Sequence, residues 1–292
     1  MALAKDSSGT AFLKRTAFVV LALTLVLTVT ALQGAQAKTI RLGYVTWESE
    51  IASHAVLGAV LEDYLGYRVE HITLDAGPMW TGIAQGEFDV TIAAWLPTTH
   101  APYYEQLWTQ IENLGPAMHG AKIGLVVPTY VTINSIEELN AERSRFGGRI
   151  VGIDPGAGIM QRTEEAIEAY GLDFMLVDGS DAAMTAALRS AIRRNQWIVV
   201  TGWTPHWKFA EYDLKYLEDP KGVYGGSEEI TKIVRKGLHE DAPDAYKLLQ
   251  RFYWTPEQMA EVLVAILEGA DPADAARQWI AANEDVVRSW LP

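Results

Sequence analysis

The stretch Val90–His100, V-T-I-A-A-W-L-P-T-T-H, decides the fold. Val90 to Ala94 is a short apolar run of β-formers, too brief for a helix and suited to a buried strand. Pro97 stops it just beyond Trp95, so a large aromatic stands where the strand leaves the sheet, with His100 shortly after. The same pattern recurs at Ile40–Trp47 (I-R-L-G-Y-V-T-W) and at Trp197–Trp203 (W-I-V-V-T-G-W). Ligands of open α/β sheets bind beyond the carboxyl ends of strands. Three indoles at three such ends therefore predict an aromatic pocket. Indole faces attract cations, and a quaternary ammonium has no N–H to donate, so each desolvated face contributes roughly 1–2 kcal/mol.

Around this stretch, strands and helices alternate. Strand Thr39–Thr46 leads to a helix over Ile51–Leu65 that Gly66 ends, and Tyr67–Leu74 reads as a strand. Gly77-Pro78 marks a turn before a short helix, Met79–Gln85. Downstream, Pro102–Asn113 reads as a helix with Tyr103, Tyr104, Leu107, Trp108 and Ile111 near one face, and Ile123–Val127 as a strand. Strands at Arg149–Ile153 and Phe174–Val177 alternate with helices at Ile159–Tyr170 and Asp181–Arg194. Leu214–Leu217 is a further short segment, and Thr231–Lys236 is a return crossing. Helices at Pro243–Phe252, Thr255–Leu267 and Pro272–Ala282 close the chain. This order implies an α/β protein with a doubly wound parallel or mixed sheet.

Composition narrows the function. The net charge of −13 argues against nucleic acid and anionic membrane as partners. With no cysteine, disulfides, thiolate nucleophiles and Cys-ligated metals are excluded. Lys5, Lys14 and Arg15 precede the apolar run Ala17–Leu32, and Ala35-Gln36-Ala37 is a small-x-small site. Residues 1–37 thus read as a secretory signal cleaved after Ala37, and the absence of cysteine there leaves no lipid anchor. A bacterial periplasm is the expected compartment.

Two further constellations matter. Asp154-Pro155-Gly156-Ala157-Gly158-Ile159-Met160 joins a strand to a helix start, where free backbone N–H groups and the helix dipole suit a small anion. No Gly-Lys-Ser/Thr follows, so it is no nucleotide phosphate loop, and it lacks the spacing of a dinucleotide fingerprint. His100 is placed to donate to the same anion. His206, in T-G-W-T-P-H-W, is a weaker candidate, because Pro205 beside it suggests a turn. Trp207 and Trp80 are supporting aromatics, and Trp108, Trp254, Trp279 and Trp290 read as structural. Glu48 and Glu50 either add negative potential for a cation or favour the helix start they occupy, the second being preferred. No His pair has metal spacing, no nucleophile motif occurs, and neither cofactor nor catalytic residue is expected. The residues describe a binder of a small zwitterion.

Together, G-Y-V-T-W, A-W-L-P-T-T-H, G-I-D-P-G-A-G-I-M, T-G-W-T-P-H-W, D-L-K-Y-L-E-D-P and I-V-R-K-G-L resemble the periplasmic substrate-binding proteins of glycine betaine/proline betaine ABC importers, from about Thr39 to Trp290. The resemblance implies a two-lobed Venus-flytrap fold, type II-like, with ligand in the interdomain cleft. Its lobes would be residues 38–127 with 229–292, and residues 128–228. It implies that Trp47, Trp95 and Trp203 cage the trimethylammonium group, and that His100 with the N–H groups of Gly158 and Ile159 holds a carboxylate. His206, Trp207 and Ala157 would flank the site. Choline-binding members place other polar residues after the loop's Pro-Gly and an aromatic near Ile123, so Ala157 and Ile123 favour a carboxylated ligand. An inner-membrane permease with its ATPase is the implied partner of a monomer. Choline, proline betaine, dimethylsulfoniopropionate and a sensor role remain the alternatives.

Overall fold

The computed structural model describes residues 37–292. The signal-peptide expectation falls almost wholly on residues 1–36, outside the described residues. Strands β1 (Thr39–Tyr44), β2 (Arg68–Thr73) and β3 (Val90–Leu96) form a parallel group with β1 in the middle. Helix α1 (Glu48–Leu65) connects β1 to β2, and α2 (Ala76–Gln85) connects β2 to β3. A second parallel group joins β5 (Arg149–Val151) to β6 (Met175–Val177) and to β7 (Val200–Thr204), through α4 (Gly158–Tyr170) and α5 (Asp181–Arg193). The short α3 (Ala101–Leu107) follows β3.

Strand β4 (Ile111–Pro128) ties the groups together. Its first half pairs antiparallel with β9 (Glu228–Arg235), which itself pairs antiparallel with β3. Its second half pairs with β7 and with β8 (Leu214–Tyr216). The order β2-β1-β3-β9-β4-β7-β5-β6 is thus a mixed sheet running through two parallel ends. Helix α6 (Lys208–Glu211) follows β7, and the chain closes with α7 (Leu238–Asp241), α8 (Pro243–Arg251), α9 (Pro256–Leu267), α10 (Pro272–Ala282) and α11 (Glu284–Trp290).

One expectation fails. The helix foreseen over Pro102–Asn113 stops at Leu107, and Ile111 opens the long β4 instead. Gly115 and Gly120, both at positive φ, and three register shifts between Asn113 and Ala121 interrupt the alternation that marks a strand. Trp108, expected to pack inward, is 60% exposed because the helix that would have turned it in has already ended.

Helix α1 is buried on nearly every side from Ala52 to Leu61, since α9 and α10 cover the face turned away from the sheet. His54 sits in this core as a satisfied structural residue. Its Nε2 accepts from the Ile92 N–H at 3.1 Å, and its Nδ1 lies 2.8 Å from the Glu50 carbonyl. Trp254, Trp279 and Trp290 gather around Phe252 at ring separations from 4.7 to 6.1 Å, a wholly structural cluster.

Candidate functional site

The three predicted indoles meet in one cavity. Trp47, Trp95 and Trp203 line it together with Thr99, His100, Ile123, Ile153, Ala157, Gly158 and Ile159, around about 280 Å³ of empty space. All three indoles are at most 6% exposed. Trp47 ends the β1 turn and starts α1, its carbonyl accepting from Glu50 and Ile51 N–H at 3.0 and 2.9 Å. Trp95 closes β3, and Trp203 lies in β7 opposite Ile123 of β4. The strand-end reading thus converges because β1, β3 and β7 all point their carboxyl ends at one place.

Each indole is met from behind by an ionisable side chain. Trp47 Nε1 donates to Asp154 Oδ2 at 2.7 Å, a bond between the two parallel groups of the sheet. Trp95 Nε1 donates to Glu50 Oε1 at 3.3 Å. The Lys208 Nζ stands 3.8 Å from the centre of the Trp203 ring, with no hydrogen-bond partner and its side chain buried. Burial pulls the Lys208 ammonium down to about 7, against the pull of Asp181 and Glu48. Burial likewise raises the Asp154 carboxyl, against its bond from Trp47.

His100 is prepared as a donor. Its Nδ1 accepts from the Trp95 N–H at 3.0 Å, which leaves the proton of the neutral ring on Nε2. That Nε2 is buried and unpartnered on the cavity wall. Burial lowers the ring to about 4, against the Ala93 carbonyl, so the neutral form persists at ordinary pH. Trp47 stacks on it at 6.0 Å, and Trp80 and Tyr103 meet it edge-on.

The loop beside His100 supplies the remaining donors. Ala157 precedes α4 with an extended backbone and no side-chain cap, so the first N–H groups, those of Gly158 and Ile159, point out of the helix unused. A side chain at Gly158 would run into the Thr99 carbonyl, and would lie 2.7 Å from Thr99 Cγ2 and 2.9 Å from His100 Cδ2. Glycine is thus what lets this helix end reach the β3–α3 turn. The Tyr103 hydroxyl adds a bond to the Gly156 carbonyl at 2.9 Å. Glu228 of β9 holds the other side of the turn, accepting from Thr98 and Thr99 N–H at 2.8 and 2.7 Å.

His206 and Trp207 stand outside the lining. His206 Nε2 lies 3.1 Å from Asp181 Oδ1, and its Nδ1 accepts from Lys208 N–H, so neither nitrogen is left for a ligand. Burial and Lys208 lower its ring to about 4, against the neighbouring Asp181. Burial pushes the Asp181 carboxyl up, yet His206, Lys208 and the Glu48 N–H together carry it below its usual range. Trp207 packs on His206 at 5.3 Å, and burial raises the Glu48 carboxyl against the pull of Trp207. Asp154, Lys208 and Glu228 were not singled out as site-building residues, and Glu50, weighed as a source of negative potential for a cation, was preferred as a residue that favours its helix start. For Asp154 the signal was present, since it begins the loop already singled out.

Residues 38–282 match the family model of the substrate binding domain of ABC-type glycine betaine transport systems. The chain belongs to this family. A glycine betaine/carnitine transport binding protein of Listeria monocytogenes serotype 1/2a (strain 10403S) is 53% identical over 144 residues, 48% of this chain and 48% of that protein. The match therefore spans about half the length of that curated relative. The lactococcal protein OpuAC, solved closed with glycine betaine, is 42% identical with a TM-score of 0.84, covering 87% of this chain and all of that one. The glycine betaine/L-proline-binding protein ProX of Borrelia burgdorferi is 38% identical with a TM-score of 0.85, covering 87% and 97%. A choline-binding protein of an ABC transporter, solved with choline, is more distant at 27% identity and a TM-score of 0.81, covering 86% and 91%. The family fold is the two-lobed one of periplasmic substrate-binding proteins. Among the described residues, no helix is long and apolar enough to cross a membrane, and no group of three His, Asp or Glu is placed to hold a metal ion.

Proposed function

We propose that this chain captures glycine betaine, or a closely related methylated zwitterion, for an ABC importer. One observation carries the reading: a single cavity brings together three indole walls and three unpaired N–H donors, those of His100 Nε2, Gly158 and Ile159. Indole faces suit a cation that has no hydrogen bond to give. The neutral donors and the start of α4 suit a carboxylate. The one hydroxyl in the lining, that of Thr99, is tied to the Glu228 carboxylate, and in this reading the chain is a carrier that leaves its ligand unchanged. Ala157 and Ile123 in the lining favour a carboxylated ligand over choline.

In this reading the lobes are residues 38–127 with 229–292, and residues 128–228. The switch of β4 from β9 to β7 and β8 supports that division. The Trp47–Asp154 and Tyr103–Gly156 bonds then cross the cleft and belong to the closed form. Closure around ligand is a shift between two arrangements, and the closed one is presented to the permease and its ATPase. The protein works as a monomer in the periplasm after removal of residues 1–37.

The test is calorimetric titration of residues 38–292 with glycine betaine and choline in parallel. Tight one-site binding of glycine betaine with weak choline is expected. A preference for choline would keep the indole cage and discard the carboxylate roles of His100 and the α4 start; binding of neither refutes the assignment.

A further inference from the structure

Glu50 lies wholly buried in the first turn of α1, behind one wall of the cage. Its Oε1 accepts from the Trp95 indole at 3.3 Å, and its Oε2 has no hydrogen-bond partner. Buried carboxylates are either paired with a cation or neutralised. Among the described residues no lysine or arginine is within ion-pair distance of it. The one titratable group that near is His54, whose Nδ1 is 4.0 Å from Oε2. His54 brings no charge: both its nitrogens are bonded to backbone, and burial lowers its ring to about 3. The core thus holds an acid with no counter-ion of its own, and its only side-chain bond runs to a cavity-lining indole.

Merely holding Trp95 would need no acid, since a neutral amide oxygen accepts from an indole N–H equally well. We propose that Glu50 is the counter-charge of the ligand's cation, acting through the Trp95 indole, and so sets the preference for cationic over neutral head groups. The inference rests on the cage reading above. Burial holds the Glu50 carboxyl well above its usual range, against the Trp95 bond, so the empty site favours the neutral acid more than solvent does. A permanent cation arriving beyond the indole favours the ionised form, and Glu50 then gives its proton to solvent. The other titratable groups around the cage are Glu48, His100, Asp154, Asp181, His206 and Lys208. Of these only His100 bonds to Trp95, at its backbone N–H, and none bonds to the indole.

The experiment compares wild type and Glu50→Gln by titration with glycine betaine and with 3,3-dimethylbutanoate. The second ligand keeps the carboxylate and replaces the charged nitrogen by carbon. In Glu50→Gln, glycine betaine affinity should fall roughly several-fold, the charge–charge interaction across one indole less the cost of ionising the buried acid. Affinity for 3,3-dimethylbutanoate should hold, so the ratio between the two collapses. An unchanged ratio overturns the inference. So does an equal loss of both ligands, which would make Glu50 only a prop for Trp95. A wild-type readout guards against a variant that fails to fold: titration near pH 6 in buffers of different ionisation enthalpy. Proton release with glycine betaine and none with 3,3-dimethylbutanoate is expected, and equal proton uptake or release for the two overturns the assignment. A wild type that binds neither ligand refutes the cage itself, whereas a wild type that binds with an unaltered ratio in the variant refutes Glu50 alone.

Discussion

His100→Phe separates the proposed carboxylate clamp from the proposed cage. Phenylalanine keeps a ring stacked against Trp47 and edge-on to Trp80, but removes both nitrogens. Two losses follow, and they are read by different measurements. The Nε2–H that faces the cavity is gone, and a hydrogen bond to a charged partner contributes about 1.5–3 kcal/mol. That corresponds to a glycine betaine Kd raised roughly 10- to 150-fold. Separately, the Trp95 N–H loses its acceptor inside the core, costing about 1–3 kcal/mol of folding stability. Calorimetric titration measures the first, and urea unfolding of the ligand-free protein measures the second. Choline has no carboxylate, so its affinity should stay close to the wild-type value. Equal losses for choline and glycine betaine, or an unaltered glycine betaine Kd, would refute the donor role of His100.

Gly158→Ala places a methyl group against the Thr99 carbonyl, on a turn that Glu228 pins, so closure is expected to cost about 1–3 kcal/mol. Ligand affinity should fall while the melting temperature of the empty protein stays near wild type; titration and thermal melts together check this. Acid should destabilise the fold in a defined window. His54, His100 and His206 are held at about 3, 4 and 4, below the usual histidine value, so the unfolded chain takes up their protons first. Stability is therefore full above about pH 6.5 and falls toward pH 4, by up to roughly 1.4 kcal/mol per pH unit for each ring. Glu50, raised in the fold, works the other way as pH falls toward its unfolded value and offsets part of this loss. Urea midpoints measured from pH 7.5 to 4.5 that do not decline would contradict the neutral, buried assignment of the three rings.

The alternation of strands and helices, the three strand-end indoles and the glycine-rich helix start were legible in the sequence because each is a local pattern. Apolar runs stopped by Pro, and glycines before a helix, encode chain direction over a few residues. The same locality explains the miss at β4. Its bulges at Gly115 and Gly120 break the two-residue period, and its pairing partner β9 lies more than a hundred residues away. Trp108 was misplaced for the same reason.

By itself, the sequence determined which residue types would stand at the strand ends that line the cavity. Only the tertiary structure decided their chemistry. It turned the His100 proton to Nε2 by offering Nδ1 the Trp95 N–H, and it used up both nitrogens of His206 on Asp181 and Lys208 N–H. It also set Glu50, Asp154 and Lys208 behind the three indoles. Those choices depend on which groups meet across long separations and how deeply they are buried. Neither is written in any short stretch of chain, because burial and pairing are properties of the packed whole.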